Sequence, residues 1–268
     1  MGSGVEEEFD LVIGADGIRS AVRAFIQPDA PAPQYTQTRV TFALTDGKSK
    51  SLRDPAALSE LHQHFGDGLY TLIYSAPGQS KDTHTDMVIT AAADPRPTGE
   101  NPRYTESPDI EKAREELLAE LRRSRMPREA LEVATRASRL FTVGVYQHRP
   151  LPRWSQGGCV VVGDSAHAMA PFLGQGANQA MMDAVALGKR LGKAAERGGG
   201  AAEVEKALRE YERVRKPPTS ALIAKSSVLG KIETQGGVGA VLRDGLFGVA
   251  GALGIPGQVF LDNAIPRM

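Results

Sequence analysis

One segment restricts the fold of this chain more than any other: an apolar run that ends in Gly-Asp and leads through a Gly-rich loop into an Ala-rich helix. Its defining residues are Cys159 to Val162, Gly163, Asp164, Pro171, Gly174 and Gly176. This order indicates a site for a large phosphate-containing cofactor, because glycines allow close approach of the backbone and a helix N-terminus favours negative charge. A tight strand-to-helix connection with a surface Asp is the alternative, since Gly-Asp turns are common.

A second strand-turn-helix segment lies near the start of the chain, at residues 10–23. An apolar run from Asp10 to Gly14 predicts a strand, and a short helix bearing Ser20 and Arg23 follows. Asp16 stands where a helix N-cap would, with its carboxylate able to accept amide protons of the next turn. From this segment alone, helix capping and a role in ligand binding both stay open for Asp16.

Together the two segments resemble motifs of the FAD-dependent aromatic hydroxylases, also called class A flavoprotein monooxygenases. The long loop matches the family's Gly-Asp motif at Gly163, Asp164, Ala166, His167, Pro171, Gly174, Gln175, Gly176 and Asn178. The first segment resembles the family's Asp-Gly motif, which lies near the FAD pyrophosphate and is linked to NAD(P)H use. Tyr211-Glu-x-x-Arg215-x-Pro resembles a third element that packs beside the flavin domain.

The resemblance implies a monooxygenase that hydroxylates or epoxidises a small organic substrate, aromatic or polyketide-like, with FAD, NAD(P)H and O₂. It implies no catalytic side chain and no metal ligand. The cofactor contacts that it implies are Asp16, Gly17, Arg23, Gly163, Asp164, Pro171, Gly174, Gln175, Gly176, Ala177 and Asn178. Asp164 would hold the ribityl hydroxyls, and the helix from Gly176 would direct its positive end at the flavin pyrimidine edge. His167 is expected to be a structural hydrogen bonder.

The βαβ unit with a GxGxxG fingerprint, which opens members of this family, is not found in the sequence. Gly237-Val-Gly239 is followed by Leu242 at the third glycine position, and Gly174-Gln-Gly176 by Gln179. The chain thus resembles the C-terminal part of a family member, and without the βαβ unit the strands beside Cys159 would have exposed apolar edges. We expect it to bind FAD weakly or not at all alone, and to aggregate or associate with a partner chain that supplies the missing unit.

The expected fold class is α/β: an incomplete Rossmann-like FAD-binding domain, an inserted and mainly antiparallel sheet domain, and C-terminal helices. The predicted segments are 1–33 (partial FAD-binding domain), 34–148 (substrate-binding sheet domain) and 149–268 (continuation of the FAD-binding domain). Alternating patterns predict strands at 35–44, 69–76, 87–93 and 140–147. Helical patterns predict helices at 55–65, 108–124, 128–135, 176–195 and 201–229, the last bent at Pro217 and Pro218.

Three further expectations concern individual side chains. His62 and His64 would lie on the predicted helix 55–65 and face different directions, so they would not form a ligand pair. Cys159 would be a small buried hydrophobic residue. In the tail, Leu246, Phe247 and Leu253 would complete a core, with a mobile lid as the alternative.

Composition excludes several classes of protein. The 268 residues carry 32 basic and 32 acidic side chains, so no charge excess indicates nucleic acid or an anionic membrane as a partner. The single cysteine excludes an internal disulfide and fits a reducing cytoplasm. No uninterrupted apolar run is long enough to span a membrane.

Two other functions stay open at this point. The chain is compatible with a non-redox descendant of the fold, such as a cyclase or a binding protein. It is also compatible with a different flavin-dependent oxidoreductase of the same superfamily. A halogenase is disfavoured because the only tryptophan, Trp154, is not part of a Trp-x-Trp-x-Ile element.

Overall fold

The structure is a computed structural model that describes residues 6–47, 61–77, 84–94, 105–106 and 109–254. The described residues divide into two compact units, one from residues up to 34 and 146–228, the other from residues 35–145 and from 229 onward. The three-segment division made from sequence stays a prediction.

The first unit is built on a three-stranded sheet in the order β1-β9-β8. Its strands are β1 (Val12–Gly14), β8 (Ser155–Gln156) and β9 (Cys159–Val161). Its helices are α1 (Ala21–Ile26), α4 (Asp164–His167), α5 (Gly176–Glu196) and most of α6 (Ala201–Glu233). β1 and β9 are parallel, and Val160 and Val161 are fully buried. Burial on both faces is typical of parallel strands and explains the β-branched run before Gly163.

The core of the first unit surrounds the β9 strand. Its buried members are Ile26, Leu151, Trp154, Val160, Val161, Ala166, Leu187, Leu208 and Tyr211. Cys159 is half-buried and packs against this cluster, so its expected role as a small hydrophobic residue holds, although it is not fully buried. α6 runs as one helix through Pro217 and Pro218 and ends at Glu233, beyond the predicted end at 229.

The second unit is a six-stranded sheet in the order β3-β4-β5-β2-β7-β6, with two helices packed on one face. The strands are β2 (Gln34–Gly47), β3 (His62–Phe65), β4 (Leu69–Pro77), β5 (His84–Ala93), β6 (Thr105–Glu106) and β7 (Arg139–Gln147). The helices are α2 (Ile110–Arg123) and α3 (Arg128–Arg136). Leu121, Ala130 and Val133 are fully buried against the sheet. The mixed α/β fold class is confirmed.

The prediction of a helix at 55–65 is wrong for its described part. Residues 55–60 lie outside the described residues, whereas His62–Phe65 form strand β3, paired antiparallel with β4. The amide of Gly66 donates to the Leu69 carbonyl at 2.8 Å and closes a tight turn, so pairing with a neighbouring strand overrides the local pattern. In a strand, residues two apart share a face. The rings of His62 and His64 are accordingly stacked, with centroids 6.4 Å apart, which corrects the expectation that they diverge.

The tail forms helix α7 (Val238–Ala252), and the prediction that its large residues complete a core is wrong for two of them. Leu246 is 59% exposed and Leu253 67% exposed. Phe247 is half-buried and contacts the Phe65 ring edge to face, with centroids 5.0 Å apart. One turn earlier on the same face of α7, the buried guanidinium of Arg243 donates to main-chain carbonyls of Glu233, Gln235 and Gly66. Among the described helices, none has the length and apolar character to cross a membrane.

Candidate functional site

The Gly-Asp turn directly follows strand β9 and depends on a close approach of two backbones. Gly163 has φ 57° and ψ −139°, a region that side chains rarely adopt. A Cβ atom there would lie 3.2 Å from the Cβ of Ala180 on α5. Glycine at this position therefore lets the strand end against the helix and sets the direction in which Asp164 leaves the sheet.

A buried carboxylate, that of Asp183 on α5, holds the turn in place. One oxygen accepts from the Gly163 amide at 2.8 Å and lies 2.6 Å from Nε2 of His167; the other accepts from Nε of Arg215 at 2.7 Å. Arg215 also donates to the side chain of Gln179 at 2.6 Å. Burial raises the pKa of Asp183, but the hydrogen bonds from His167, Arg215 and Gly163 outweigh burial and hold that pKa below its usual value.

His167 is buried within this network. Its ring lies 5.3 Å from the ring of Trp154, centroid to centroid, and its hydrogen bond to Asp183 crosses the core between α4 and α5. This geometry makes His167 a structural hydrogen bonder, as expected from the sequence.

Asp164 differs from Asp183 in every respect that matters for ligand binding. It is exposed at the first position of α4, and within the described residues its carboxylate makes no hydrogen bond. A carboxylate with both oxygens available accepts hydrogen bonds from hydroxyl groups readily. Asp164 can therefore hold a polyhydroxylated chain, whereas both carboxylate oxygens of Asp183 already accept hydrogen bonds inside the protein.

The loop after α4 leads to an open helix N-terminus. Pro171–Leu173 form a 3₁₀ turn that ends at Gly174 in the left-handed conformation, with φ 61°. α5 then begins at Gly176 without a side-chain cap, and a Cβ atom at Gly176 would meet no atom within 4 Å. Uncapped first-turn amides of a long helix carry partial positive charge. This end of α5, which also presents Ala177 and Asn178, can therefore accept an anionic or carbonyl-rich group.

Several buried donors in the first unit lack acceptors in the described residues, among them Nε1 of Trp154, Nε of Arg190 and one donor each on Gln175 and Arg23. Nε2 of Gln175, a side chain 2% exposed, has no partner. Nη1 of Arg23 is likewise unpartnered, and the other terminal nitrogen of that guanidinium makes only a 3.4 Å contact to the Pro31 carbonyl. Buried donors are normally satisfied, so each indicates an acceptor supplied by water or a ligand.

The segment with Asp16 is joined to the Gly-Asp turn by hydrogen bonds. Ser20, not Asp16, is the N-cap of α1, which corrects the capping position predicted from sequence. Asp16 nevertheless accepts from the Ala21 amide at 2.7 Å, because the Gly17 turn, with φ 81°, returns its carboxylate over the helix start. Ser165 bridges the two segments by accepting from the Gly17 amide at 2.9 Å and donating to Asp16 at 3.1 Å.

The buried His148 lies behind this junction, and its amide donates to the Ala168 carbonyl at 2.9 Å. Burial and the nearby positive charge of Arg23 lower the pKa of His148 from 6.5 to about 4. The ring is therefore neutral near pH 7, and the Arg23 charge has no carboxylate partner in the described residues.

The structure thus collects the predicted residues of both segments in one unit, and it adds residues that the sequence pattern did not indicate. Asp183, Ser165 and His148 were not identified beforehand. The position of Asp183, a single Asp on the packing side of an Ala-rich helix, could have indicated a buried carboxylate. No sequence signal indicated Ser165, whose partners lie 148 and 149 residues away.

The described residues fit FAD on chemical grounds. The exposed Asp164 carboxylate suits ribityl hydroxyls, and the open N-terminus of α5 suits the carbonyl edge of a flavin ring. The unpartnered donors of Gln175 and Arg23 suit acceptor oxygens, of which FAD has many. Within the described residues, no group of three or more His, Cys, Asp or Glu side chains is arranged to hold a metal ion.

Comparison with known proteins agrees with this chemistry. A family profile described as "FAD binding domain" matches residues 3–226. Aurachin C monooxygenase/isomerase of Stigmatella aurantiaca is 32% identical over 87% of this chain and 54% of its own length. A salicylate hydroxylase of Pseudomonas putida is 31% identical over 80% of this chain and 50% of its own length.

Solved structures show the same fold at low sequence identity. HpxO of Klebsiella pneumoniae, crystallised with FAD and uric acid, has a TM-score of 0.69 and 21% identity, covering 94% of this chain and 59% of that one. A salicylate hydroxylase substrate complex has a TM-score of 0.66 and 21% identity, covering 97% of this chain and 65% of that one. The chain spans about half the length of the curated relatives it matches.

Asp183→Asn is predicted to destabilise the first unit. An amide cannot accept from Gly163, His167 and Arg215 together, and it leaves the buried guanidinium without a counter-ion, so we expect a loss of about 3–5 kcal/mol at neutral pH. Urea denaturation measures this loss. Asp29→Asn, at an exposed position, is the matched control and should change stability by no more than about 0.5 kcal/mol. Equal stabilities of the two variants would contradict the proposed role of the carboxylate.

His148→Gln is predicted to reduce the acid sensitivity of the fold. The pKa of His148 is about 4 in the folded protein and 6.5 in the unfolded chain, so the unfolded chain binds a proton first as pH falls. The stability that the neutral ring contributes is complete above pH 6.5 and is lost between pH 6.5 and about 4. In urea titrations across this window, the variant should lose about 1–3 kcal/mol less than the parent chain. The exposed His62→Gln is the control, and a parallel pH dependence of parent and His148→Gln would refute the assignment.

Proposed function

We propose that the first unit of this chain, which belongs to the class A FAD-dependent monooxygenase family, holds the flavin and ribityl part of FAD. The exposed Asp164 carboxylate beside the open N-terminus of α5 is the main support. The cofactor contacts proposed in addition are Gly17, Arg23, Gly163, Pro171, Gly174, Gln175, Gly176, Ala177 and Asn178. When bound, FAD supplies the redox chemistry through which NAD(P)H and O₂ hydroxylate or epoxidise an organic substrate.

Asp164 would bind by accepting hydrogen bonds from ribityl hydroxyls. Gly163 brings strand β9 within contact of α5, so that Asp164 projects beyond the end of the sheet. The buried Asp183 network fixes this geometry through hydrogen bonds inside the protein. A preorganised acceptor of this kind loses little conformational entropy when the ligand binds.

The N-terminus of α5 would stabilise negative charge on the pyrimidine side of the ring. First-turn amides are fixed dipoles, and fixed dipoles stabilise developing charge without reorganisation. Gln175, buried with a free amide donor, would add a hydrogen bond from the same side. Pro171 at the exposed start of the 3₁₀ turn has no N–H, so a ring could pack there without leaving a donor unsatisfied.

The sheet of the second unit offers an apolar face for an organic substrate. α2 and α3 cover one face, while on the other Phe42, Leu72, Ile89 and Phe141 are only half-buried. The rings of Phe42 and Phe141 are stacked, with centroids 4.8 Å apart. An antiparallel sheet normally presents polar residues on a face that it does not bury. We therefore infer that a small aromatic or polyketide-like molecule occupies this face, as the aromatic substrates of several relatives would suggest.

Titration of the purified chain with FAD tests the proposed cofactor site. Asp164→Ala should weaken binding about tenfold or more, since hydrogen bonds to a charged group contribute about 1.5–3 kcal/mol. Quenching of flavin fluorescence measures the affinity, and Asp29→Ala is the control on the same unit. We expect weak binding by the parent chain alone. Tight stoichiometric binding would contradict that expectation, and no binding at any FAD concentration by the folded chain would favour a non-redox descendant.

A further βαβ unit that pairs with strand β1 would complete the cofactor site. Within the described residues β1 pairs only with β9, and Ile13 on this edge strand is 47% exposed. Phe9 and Phe25 nearby in sequence are 65% and 63% exposed. Apolar parallel strands are ordinarily covered and flanked by further strands. We propose that a βαβ unit with a dinucleotide fingerprint pairs with β1, whether it belongs to the same polypeptide or to a partner chain. The single cysteine supports a reducing, cytoplasmic setting for this assembly.

Ile13→Lys is predicted to reduce self-association of the chain. A charge on an exposed apolar edge opposes edge-to-edge pairing. Sedimentation velocity over a range of concentrations should show association of the parent chain and a several-fold smaller associated fraction for the variant. Leu61→Lys, at a position 59% exposed in the second unit, is the matched control. A parent chain that stays monomeric throughout, or equal effects of both substitutions, would argue against an open β1 edge.

A further inference from the structure

Ser165 occupies an unusual position between the two sequence segments that form the candidate site. Its side chain is fully buried, although it lies directly after the exposed Asp164. Its hydroxyl accepts from the Gly17 amide at 2.9 Å and donates to Oδ1 of Asp16 at 3.1 Å. The hydroxyl therefore acts both as acceptor and as donor, and both of its partners belong to the segment at residues 10–23.

The carboxylate of Asp16, an exposed residue, also accepts hydrogen bonds from the protein with both of its oxygens. Oδ1 accepts from Ser165, and Oδ2 accepts from the amides of Ala21 at 2.7 Å and Val22 at 3.5 Å. Burial raises the pKa of Asp16, but hydrogen bonds from Ser20, Ala21 and Ser165 outweigh burial and lower that pKa overall. Asp16 thus differs from Asp164, whose carboxylate makes no hydrogen bond within the described residues.

The motif that identifies the loop does not require a serine here. The matched positions around it are Gly163, Asp164, Ala166 and His167, and the residue between Asp164 and Ala166 is left unspecified. The serine hydroxyl is therefore not part of the motif match, and its two hydrogen bonds link the Gly17 turn to the start of α4.

We propose that Asp16 and Ser165 are positioning residues that lock the Gly17 turn to the Asp164 turn, and that Asp16 does not contact the cofactor. This inference rests on the proposed function of the Asp164 loop as a cofactor site. The strands that precede the two turns, β1 and β9, are paired, and the Ser165 hydroxyl adds the hydrogen bonds that fix the turns themselves. Removal of either partner therefore loosens the Gly17 turn against the start of α4 and lets Asp164 shift from the direction in which it meets its ligand.

Amide hydrogen exchange tests the bridge without any cofactor. In Ser165→Ala the Gly17 amide loses its acceptor, and its exchange should accelerate about tenfold or more. Ser155→Ala, which removes another buried serine hydroxyl from the same unit, should leave Gly17 exchange unchanged. Unchanged exchange in Ser165→Ala would overturn the bridge itself, whatever the chain does with FAD. Should Ser165→Ala fail to fold, Ser165→Cys keeps the shape with a weaker acceptor and should give an intermediate acceleration.

A double-mutant cycle on FAD affinity tests the positioning role. Ser165→Ala and Asp16→Ala should each weaken binding about tenfold, and the double variant should bind about as weakly as either single one, because they break one bridge. If the double variant instead lost affinity by the product of the two single losses, Asp16 would contact the cofactor independently of Ser165. If the variants bound FAD with the affinity of the parent, the positioning role would be refuted. Ser165→Thr retains the hydroxyl and should restore affinity towards that of the parent. Absence of FAD binding by the parent chain would count against the proposed function, and the exchange measurement would still decide the bridge.

Discussion

The buried carboxylate of Asp183 is the constraint on which the candidate site depends. It accepts from the Gly163 amide and from the side chains of His167 and Arg215, and so ties the end of β9, the helix α4 and the helix α6 to α5. A buried charge is tolerated only when its hydrogen bonds are complete, and this one uses three donors. The consequence is a rigid turn that leaves the neighbouring Asp164 exposed and available.

Two aspartates, Asp16 and Asp164, show why residue type alone does not define a role. Both follow a short strand, and both belong to motifs typical of the same family. Asp16 is engaged by amides of α1 and by Ser165, whereas Asp164 makes no hydrogen bond within the described residues. Both carboxylates are exposed, but the carboxylate of Asp16 accepts hydrogen bonds that connect two segments of the protein. The carboxylate of Asp164 makes no hydrogen bond within the described residues and lies near an uncapped helix.

The two units bury apolar surface in different ways. In the first, β1 is an edge strand among the described strands and its apolar side chains are exposed, and the chain spans about half the length of the curated relatives it matches. In the second, two helices cover one face of an antiparallel sheet and the other face stays apolar and half-buried. Exposed apolar surface has a cost in water, and both features support the proposals that further strands pair with β1 and that an organic molecule occupies the sheet of the second unit.

Much of the fold and part of the site followed from the sequence. Periodicity and the Gly and Pro positions predicted most strands and helices, and the resemblance of residues 163–178 to a known motif indicated the family and the loop. Tertiary structure decided the rest, because its causes are distant in the chain. Pairing with β4 made His62–Phe65 a strand, and α7 left Leu246 and Leu253 exposed. Likewise the partners of Ser165 and Asp183 are set by packing between segments, and no local pattern records which buried hydroxyl or carboxylate will meet which amide.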